Sequence, residues 1–384
     1  MNNAENKNIL LATGVYPPEI GGPATYVKIL QDELPKYGFN VKIVTYGSGN
    51  ADGVAYINRE QNQLARYWQF FLALWKIRKD VDVIYAFDLL SVGLPCAIFK
   101  LIFPGKKFVI RLGGDRQWEE AIQQRTYQNT LRQYYIDKKF SRKEKLFYTL
   151  SNFVLSSADH LIFNAEILRD IYTKHRGIEI EKTSIVKNFI PKIDKSILQP
   201  ENRDYLNILF IGRIILVRNL QRLIDAFVLV KEKMTDKIVL NIIGNGPEKN
   251  SLVEYVKGKN LGEYIFFSDG VDHDTALNKI FNSDLLVFPS LTEINSNTII
   301  EAIRLNKPVV TTRESGPYYA DMHCDNMYYI NPLDIDDIAN SMIIAMQNIK
   351  HEQTEQLVCD VARISNSFDW VINEHIEIFK NITK

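Results

Sequence analysis

The chain has 384 residues, 46% of them hydrophobic and 24% charged, with a formal net charge of zero. That length predicts two domains, each long enough to bury a core, and overall neutrality argues against a nucleic-acid binder. The neutrality hides a division: residues 1–200 hold 28 Lys and Arg against 20 Asp and Glu, and residues 201–384 hold 18 against 26, so the halves are expected to meet different partners.

In chain order, Asn8–Thr13 is a short apolar run followed by Gly21, Gly22 and Pro23. Apolar residues at helical spacing then run from Ala24 to Leu34. Gly38 stops that helix, and Val41–Thr45 is the next strand. Val81–Phe87, Lys107–Leu112 and His160–Asn164 repeat the strand pattern. Residues from Ile190 to Tyr205 lose periodicity around Pro191 and Pro200 and read as a linker. The alternation restarts with strands at Leu206–Ile211, Ile238–Ile243, Tyr264–Phe267, Leu285–Pro289 and Pro308–Thr312. Helices are expected between them at Leu220–Lys233, Glu248–Lys257, Thr275–Asn282 and Thr298–Leu305. Strands alternating with helices predict parallel sheets covered on both faces, and hence two Rossmann-like α/β domains. The predicted division is residues 1–195, residues 196–365 and a terminal helical segment, residues 366–384.

Ligands of open α/β sheets bind just beyond the strand ends, and three such loops stand in the second half. Gly212 and Arg213 follow the first strand, with Arg218 shortly after; a glycine admits close backbone approach, and two guanidinium forks can flank a diphosphate. Gly244-Asn245-Gly246 is either a ligand loop or a plain turn. The third loop is Pro289-Ser290-Leu291-Thr292-Glu293, followed by Asn297, Thr298 and Glu301. Asn297 and Thr298 are expected to cap a helix whose N-terminus suits a phosphate, and Glu301 can accept hydrogen bonds from ribose hydroxyls.

Taken together these segments resemble family 4 glycosyltransferases of the GT-B fold. The resemblance rests on Gly212-Arg213 with Arg218, Gly244-x-Gly246, the run Ser283–Ser290 and Glu293-x7-Glu301-Ala302. It extends to Pro17–Ala24, which is similar to the family's glycine loop facing the inter-domain cleft. The resemblance implies that Arg213 and Arg218 bind the donor diphosphate, Glu293 faces the donor sugar and Glu301 holds the ribose. It also implies that Gly21, Gly22, Gly212, Gly244 and Gly246 line the donor cleft, and that the last helix packs back on the first domain. The chain departs from the family in three places. Arg218 stands where lysine is usual, Ile294-Asn295-Ser296-Asn297 replaces the common Gly-Phe-Gly, and Gly113 stands where many members carry a histidine. Beside Gly113, Asp115 either contacts the sugar or acceptor hydroxyl or caps the following helix.

The expected activity is retaining transfer of a sugar from a nucleotide diphosphate to a hydroxyl of a glycan, lipid-linked or small-molecule acceptor. A sugar-nucleotide epimerase and a non-catalytic GT-B subunit are the rival readings. No metal and no cofactor beyond the nucleotide-sugar donor are expected. Asp80-Val-Asp82 opens an apolar strand and Asp334-Ile-Asp336 opens a helix, so neither Asp-x-Asp pair is read as a metal site. Cys96, Cys324 and Cys359 lack metal-ligand spacing and form no disulfide framework. The expected location is the cytoplasm, with the basic, aromatic stretch of residues 125–145 either lying on the inner membrane face or forming a solvated helix.

Overall fold

A computed structural model of the chain describes residues 7–19, 22–188, 193–319, 324–351 and 367–384. The first half builds strands β1 Lys7–Thr13, β2 Phe39–Tyr46, β3 Val54–Ile57, β4 Val83–Ala86, β5 Lys107–Leu112, β6 His160–Phe163 and β7 Thr183–Ile185. Its helices are α1 Gly22–Glu33, α2 Gln63–Lys76, α3 Gly93–Ile102, α4 Arg116–Gln123, α5 Leu131–Asp137, α6 Arg142–Ser157 and α7 Glu166–Arg176. The second half builds β8 Leu206–Ile211, β9 Ile238–Ile243, β10 Ile265–Ser268, β11 Leu285–Phe288, β12 Val309–Thr312 and β13 Met327–Ile330. Its helices are α8 Leu220–Lys233, α9 Lys249–Gly258, α10 His273–Phe281, α11 Asn297–Arg304, α12 Gly316–Tyr319 and α13 Ile335–His351, and α14 Phe368–Ile382 closes the chain.

The strands form two sheets, of seven strands in order β3-β2-β1-β4-β5-β6-β7 and of six in order β10-β9-β8-β11-β12-β13. Every pairing is parallel. Central strands such as Val83–Ala86 and Leu285–Phe288 are buried at every position, as helices on both faces require. The expected pair of Rossmann-like domains is therefore present. In each sheet the chain order reverses beside the first strand, at β1 against β4 and at β8 against β11. Those reversals open the crevices where such folds hold ligands.

Helix α14 buries Val371, Ile372, Ile376, Ile378 and Phe379 in the core that contains Ile9, Leu11, Val83 and Tyr85 of the first half. Each such side chain contributes on the order of 1.5–3 kcal/mol of transfer free energy. His375 sits at its centre, fully buried: Nδ1 donates to the Val371 carbonyl at 2.7 Å, and Nε2 lies 3.0 Å from the Tyr85 hydroxyl. Burial, helped by Arg111, depresses its pKa to about 3, so the ring is neutral.

Two expectations are corrected. The stretch of residues 125–145 is not one basic-aromatic face. Lys138 turns the chain in the left-handed region at φ 47°, and Ser141 with Glu144 then caps a new helix with reciprocal bonds. Tyr134 and Tyr135 are buried, so the aromatic side faces the core. The second correction concerns the cysteines: Cys96 is buried and free, but Cys324 is disulfide-bonded.

Candidate active site

The donor-side floor is made of glycine turns. Gly212 and Gly244 have φ of 156° and 149°, conformations that favour glycine. A Cβ on Gly244 would lie 1.9 Å from the Gly212 carbonyl oxygen, and one on Gly246 would lie 2.1 Å from that of Ile214. The backbone bond from Ile214 N–H to the Asn245 carbonyl, 2.9 Å, locks the two loops together. Gly244 and Gly246 thus hold the Arg213 loop in place from beneath. Gly244→Ala and Gly246→Ala are each expected to cost about 2–4 kcal/mol, because backbone must shift against backbone. Thermal unfolding checks this; variants melting like the parent would remove the packing role.

Arg213 projects from that loop and is exposed. Arg218 ends a short 3-10 turn, Leu216–Arg218. Its guanidinium donates to the Ser290 hydroxyl at 3.3 Å and to the Glu293 carboxylate. Ser290 Oγ also donates to Glu293 Oε2 at 2.9 Å. Glu293 is held further through its backbone, which accepts from Gly316 N–H at 3.0 Å and donates to the Glu314 carbonyl at 2.8 Å. The structure therefore brings Arg218 and Glu293 into direct contact, on two loops far apart in sequence. Leu291 and Ile294 of the same loop join the hydrophobic core of the first half, and Leu131 N–H donates to Thr292 Oγ1 at 2.9 Å. Ile294, where the Gly-Phe-Gly run is usual, is thus a clamp between the two halves.

Glu301 lies on α11 and is buried, with Oε1 2.8 Å from His273 Nε2. Burial raises its pKa, and His273 and Arg304 partly offset that rise. The N-cap of α11 is Ser296, whose side chain makes no capping bond. The expectation that Asn297 and Thr298 cap the helix is therefore corrected: both lie inside its first turn, and the Asn297 side-chain oxygen accepts from Asn188 at 3.1 Å. An uncapped N-terminus keeps free amides and partial positive charge directed at the cavity.

From the first half, Gly22 begins α1 in open space; Gly21 lies outside the described residues. Asp115 takes the capping role. It is 1% exposed, Oδ1 accepts from Trp118 N–H at 2.9 Å, and Oδ2 accepts from the hydroxyls of Tyr135 and of Tyr172, the latter at 2.9 Å. With its oxygens so committed it is a support, not a group free to meet a hydroxyl. Like Asp88 of the same half, Glu119, one turn along α4, also lines the cavity. Burial raises its pKa, while Arg213 and Arg218 from the other half pull it down. Sequence reasoning passed over it, although its position four residues after the cap places it on the same helix face.

One cavity of about 940 Å³ is lined by residues of both halves; Gly212, Arg213, Arg218, Gly244, Gly246 and Glu293 are not among the residues that line it. Glu301, Thr298, Asn297 and His273 form one wall, and Gly22, Gly113, Arg116 and Glu119 the other. Neither Asp-x-Asp pair borders it. Asp80 pairs with Lys42 at 3.0 Å, Asp82 accepts from Asn8 N–H at 2.9 Å and Asp334 accepts from Asp337 N–H at 3.1 Å.

Comparisons with known proteins cover nearly the whole chain. The family described as "Glycosyltransferase Family 4" matches residues 20–192 and that described as "Glycosyl transferases group 1" matches residues 191–357. An uncharacterized glycosyltransferase of Methanocaldococcus jannaschii is 22% identical over 97% of this chain and 98% of its own length. Alpha-monoglucosyldiacylglycerol synthase of Streptococcus pneumoniae is 24% identical over 88% of this chain and 77% of its own. Among solved structures, sucrose-phosphate synthase from Thermosynechococcus elongatus superposes with a TM-score of 0.72 at 15% identity, covering 98% of this chain and 99% of that one. Anabaena HepE in complex with UDP and glucose gives 0.70 at 14% identity, covering 98% and 100%.

Proposed function

We propose how transfer proceeds in this chain, which belongs to glycosyltransferase family 4 and is a GT-B glycosyltransferase using a nucleotide sugar. The donor lies against the second half, with its ribose on Glu301 and its diphosphate between the N-terminus of α11 and the pair Arg213 and Arg218. The sugar reaches toward Glu293 and the wall carrying Glu119. The acceptor, a glycan, a lipid-linked sugar or a small molecule, enters from the first half. The observation that carries this reading is one inter-domain cavity lined by buried Glu301, the uncapped start of α11 and Glu119, with the bonded pair Arg218 and Glu293 on the loops that follow the adjacent strands β8 and β11.

Transfer breaks the bond between the anomeric carbon and the diphosphate oxygen, and the electron pair departs on the diphosphate. Fixed positive charge at that oxygen stabilises the developing anion at no reorganisation cost. The acceptor oxygen then bonds to the anomeric carbon and gives its proton to the departing diphosphate oxygen. Two arginines and helix amides neutralise the leaving group, so the proposed reaction needs no divalent ion; it retains anomeric configuration when the acceptor oxygen enters on the face from which the diphosphate leaves.

The test is incubation with a panel of nucleotide sugars, with and without acceptors, in the presence of EDTA. Product configuration is followed by proton NMR. Undiminished transfer with retention is the expected result. Loss of activity restored by Mg²⁺ or Mn²⁺ would overturn metal independence, an inverted product would overturn retention, and donor conversion without acceptor would favour an epimerase.

A further inference from the structure

Helices α2 and α3 leave a row of large apolar side chains outside the core. On α2, Leu64, Trp68, Leu72 and Trp75 are 80%, 62%, 37% and 40% exposed. Their spacing puts them on one helix face. On α3, Leu101 and Ile102 are 64% and 50% exposed. The two rows are one surface, because an aromatic ladder joins the helices: Trp68 stacks on Phe71 at 5.9 Å, Phe71 meets Phe99 at 6.1 Å, and Trp75 meets Phe103 at 5.3 Å. An apolar patch this continuous on a polar protein marks an interaction site.

The surrounding charge says what meets it. Segments 63–79 and 93–107, which hold the two helices, carry four and three Lys or Arg and no acid, with Lys100 paired to Asp159. A protein partner of ordinary composition does not call for such one-sided charge. A surface of aromatic and aliphatic side chains, bordered by lysine and arginine, matches an anionic bilayer: tryptophans sit at the headgroup level and the cations meet lipid phosphates. No helix among the described residues is long and apolar enough to cross a membrane, so the contact is interfacial.

We propose that the α2–α3 face docks this protein on the surface of an anionic phospholipid bilayer. The proposal replaces the 125–145 stretch, whose tyrosines point inward, as the membrane-facing surface. It does not depend on the donor, so it stands or falls separately from the transfer reaction.

The experiment is flotation of the full chain with vesicles of phosphatidylcholine alone and of phosphatidylcholine with about 30% phosphatidylglycerol, a composition rich enough to carry surface potential. The parent is expected to float with the anionic vesicles, to leave them as salt is raised, and to float poorly with neutral ones. The variant Leu64→Ser, Trp68→Ser, Leu101→Ser changes exposed positions and is expected to keep the parent melting temperature while losing partitioning about tenfold or more. A second variant, Lys76→Glu, Lys79→Glu, is expected to lose the anionic preference. A parent that stays off anionic vesicles, or an apolar variant that floats as well as the parent, overturns the proposal. Concentration-dependent self-association of the parent, abolished in the apolar variant while vesicle binding is absent, assigns the face to a second copy of the chain and overturns it too.

Discussion

Arg218→Ala is expected to lower turnover about a hundred- to a thousandfold, the scale of losing one preorganised contact to a developing anion. Two losses coincide. The leaving diphosphate loses a forked cation, and Glu293, buried and bonded to Ser290, loses the cation that compensates it. An uncompensated buried charge is costly, so the loop bearing Glu293 is expected to shift as well. Arg218→Lys restores charge without the fork and should recover much of the rate. Because the two residues touch, Arg218→Ala and Glu293→Gln should combine with far less than the sum of their separate effects. Steady-state rates for the parent, the two single variants and the double variant form the required cycle. Fully additive losses would separate the residues functionally, and a kcat for Arg218→Ala within about twofold of the parent would remove the arginine from the leaving-group site.

Glu301→Gln is expected to weaken nucleotide diphosphate binding about ten- to a hundredfold, since a hydrogen bond to a charged acceptor contributes roughly 1.5–3 kcal/mol. Turnover at saturating donor should fall less, because the ribose is remote from the breaking bond. Burial lifts the pKa of Glu301, so its proton returns at a higher pH than for an exposed carboxylate. Nucleotide affinity should therefore decline as pH falls through that raised value. His273, which lies 2.8 Å away and holds the pKa down, sets where the decline begins: His273→Ala should move it to higher pH. Arg304 acts in the same direction as His273 and is retained in the variant. Calorimetric titration with the free nucleotide diphosphate across a pH series reads both effects. Parent-like affinity in Glu301→Gln would place the ribose elsewhere.

Much of the donor half was legible in the sequence. Strands Leu206–Ile211 and Ile238–Ile243 and helix Leu220–Lys233 coincide with their predicted bounds, because their periodicities are uninterrupted. The first half was read less completely. Strands Val54–Ile57 and Thr183–Ile185 are short and only partly buried, and their apolar signal is too weak to distinguish them from loop. Helix α2 was passed over although its apolar residues are abundant, since they occupy both the inward and the outward face. Asp115 was left between two roles because a capping carboxylate and a catalytic one share a sequence signature; three-dimensional partners, the hydroxyls of Tyr135 and Tyr172, separate them.

By itself the sequence determined the two α/β halves, the strand-end loops and the residue types gathered in them, because periodicity and glycine placement are local properties of the chain. Tertiary structure alone decided which loops meet. It set Arg218 against Glu293, carried Glu119 from the first half toward Arg213 of the second, seated Ile294 in the opposite core, and turned Tyr134 inward while leaving Trp68 outside. Each of these depends on side chains distant in sequence packing or pairing within one half or across the inter-domain cleft, or on which face of a helix the core covers. Hydrophobic and electrostatic forces act on spatial neighbours, and no pattern along one segment records them.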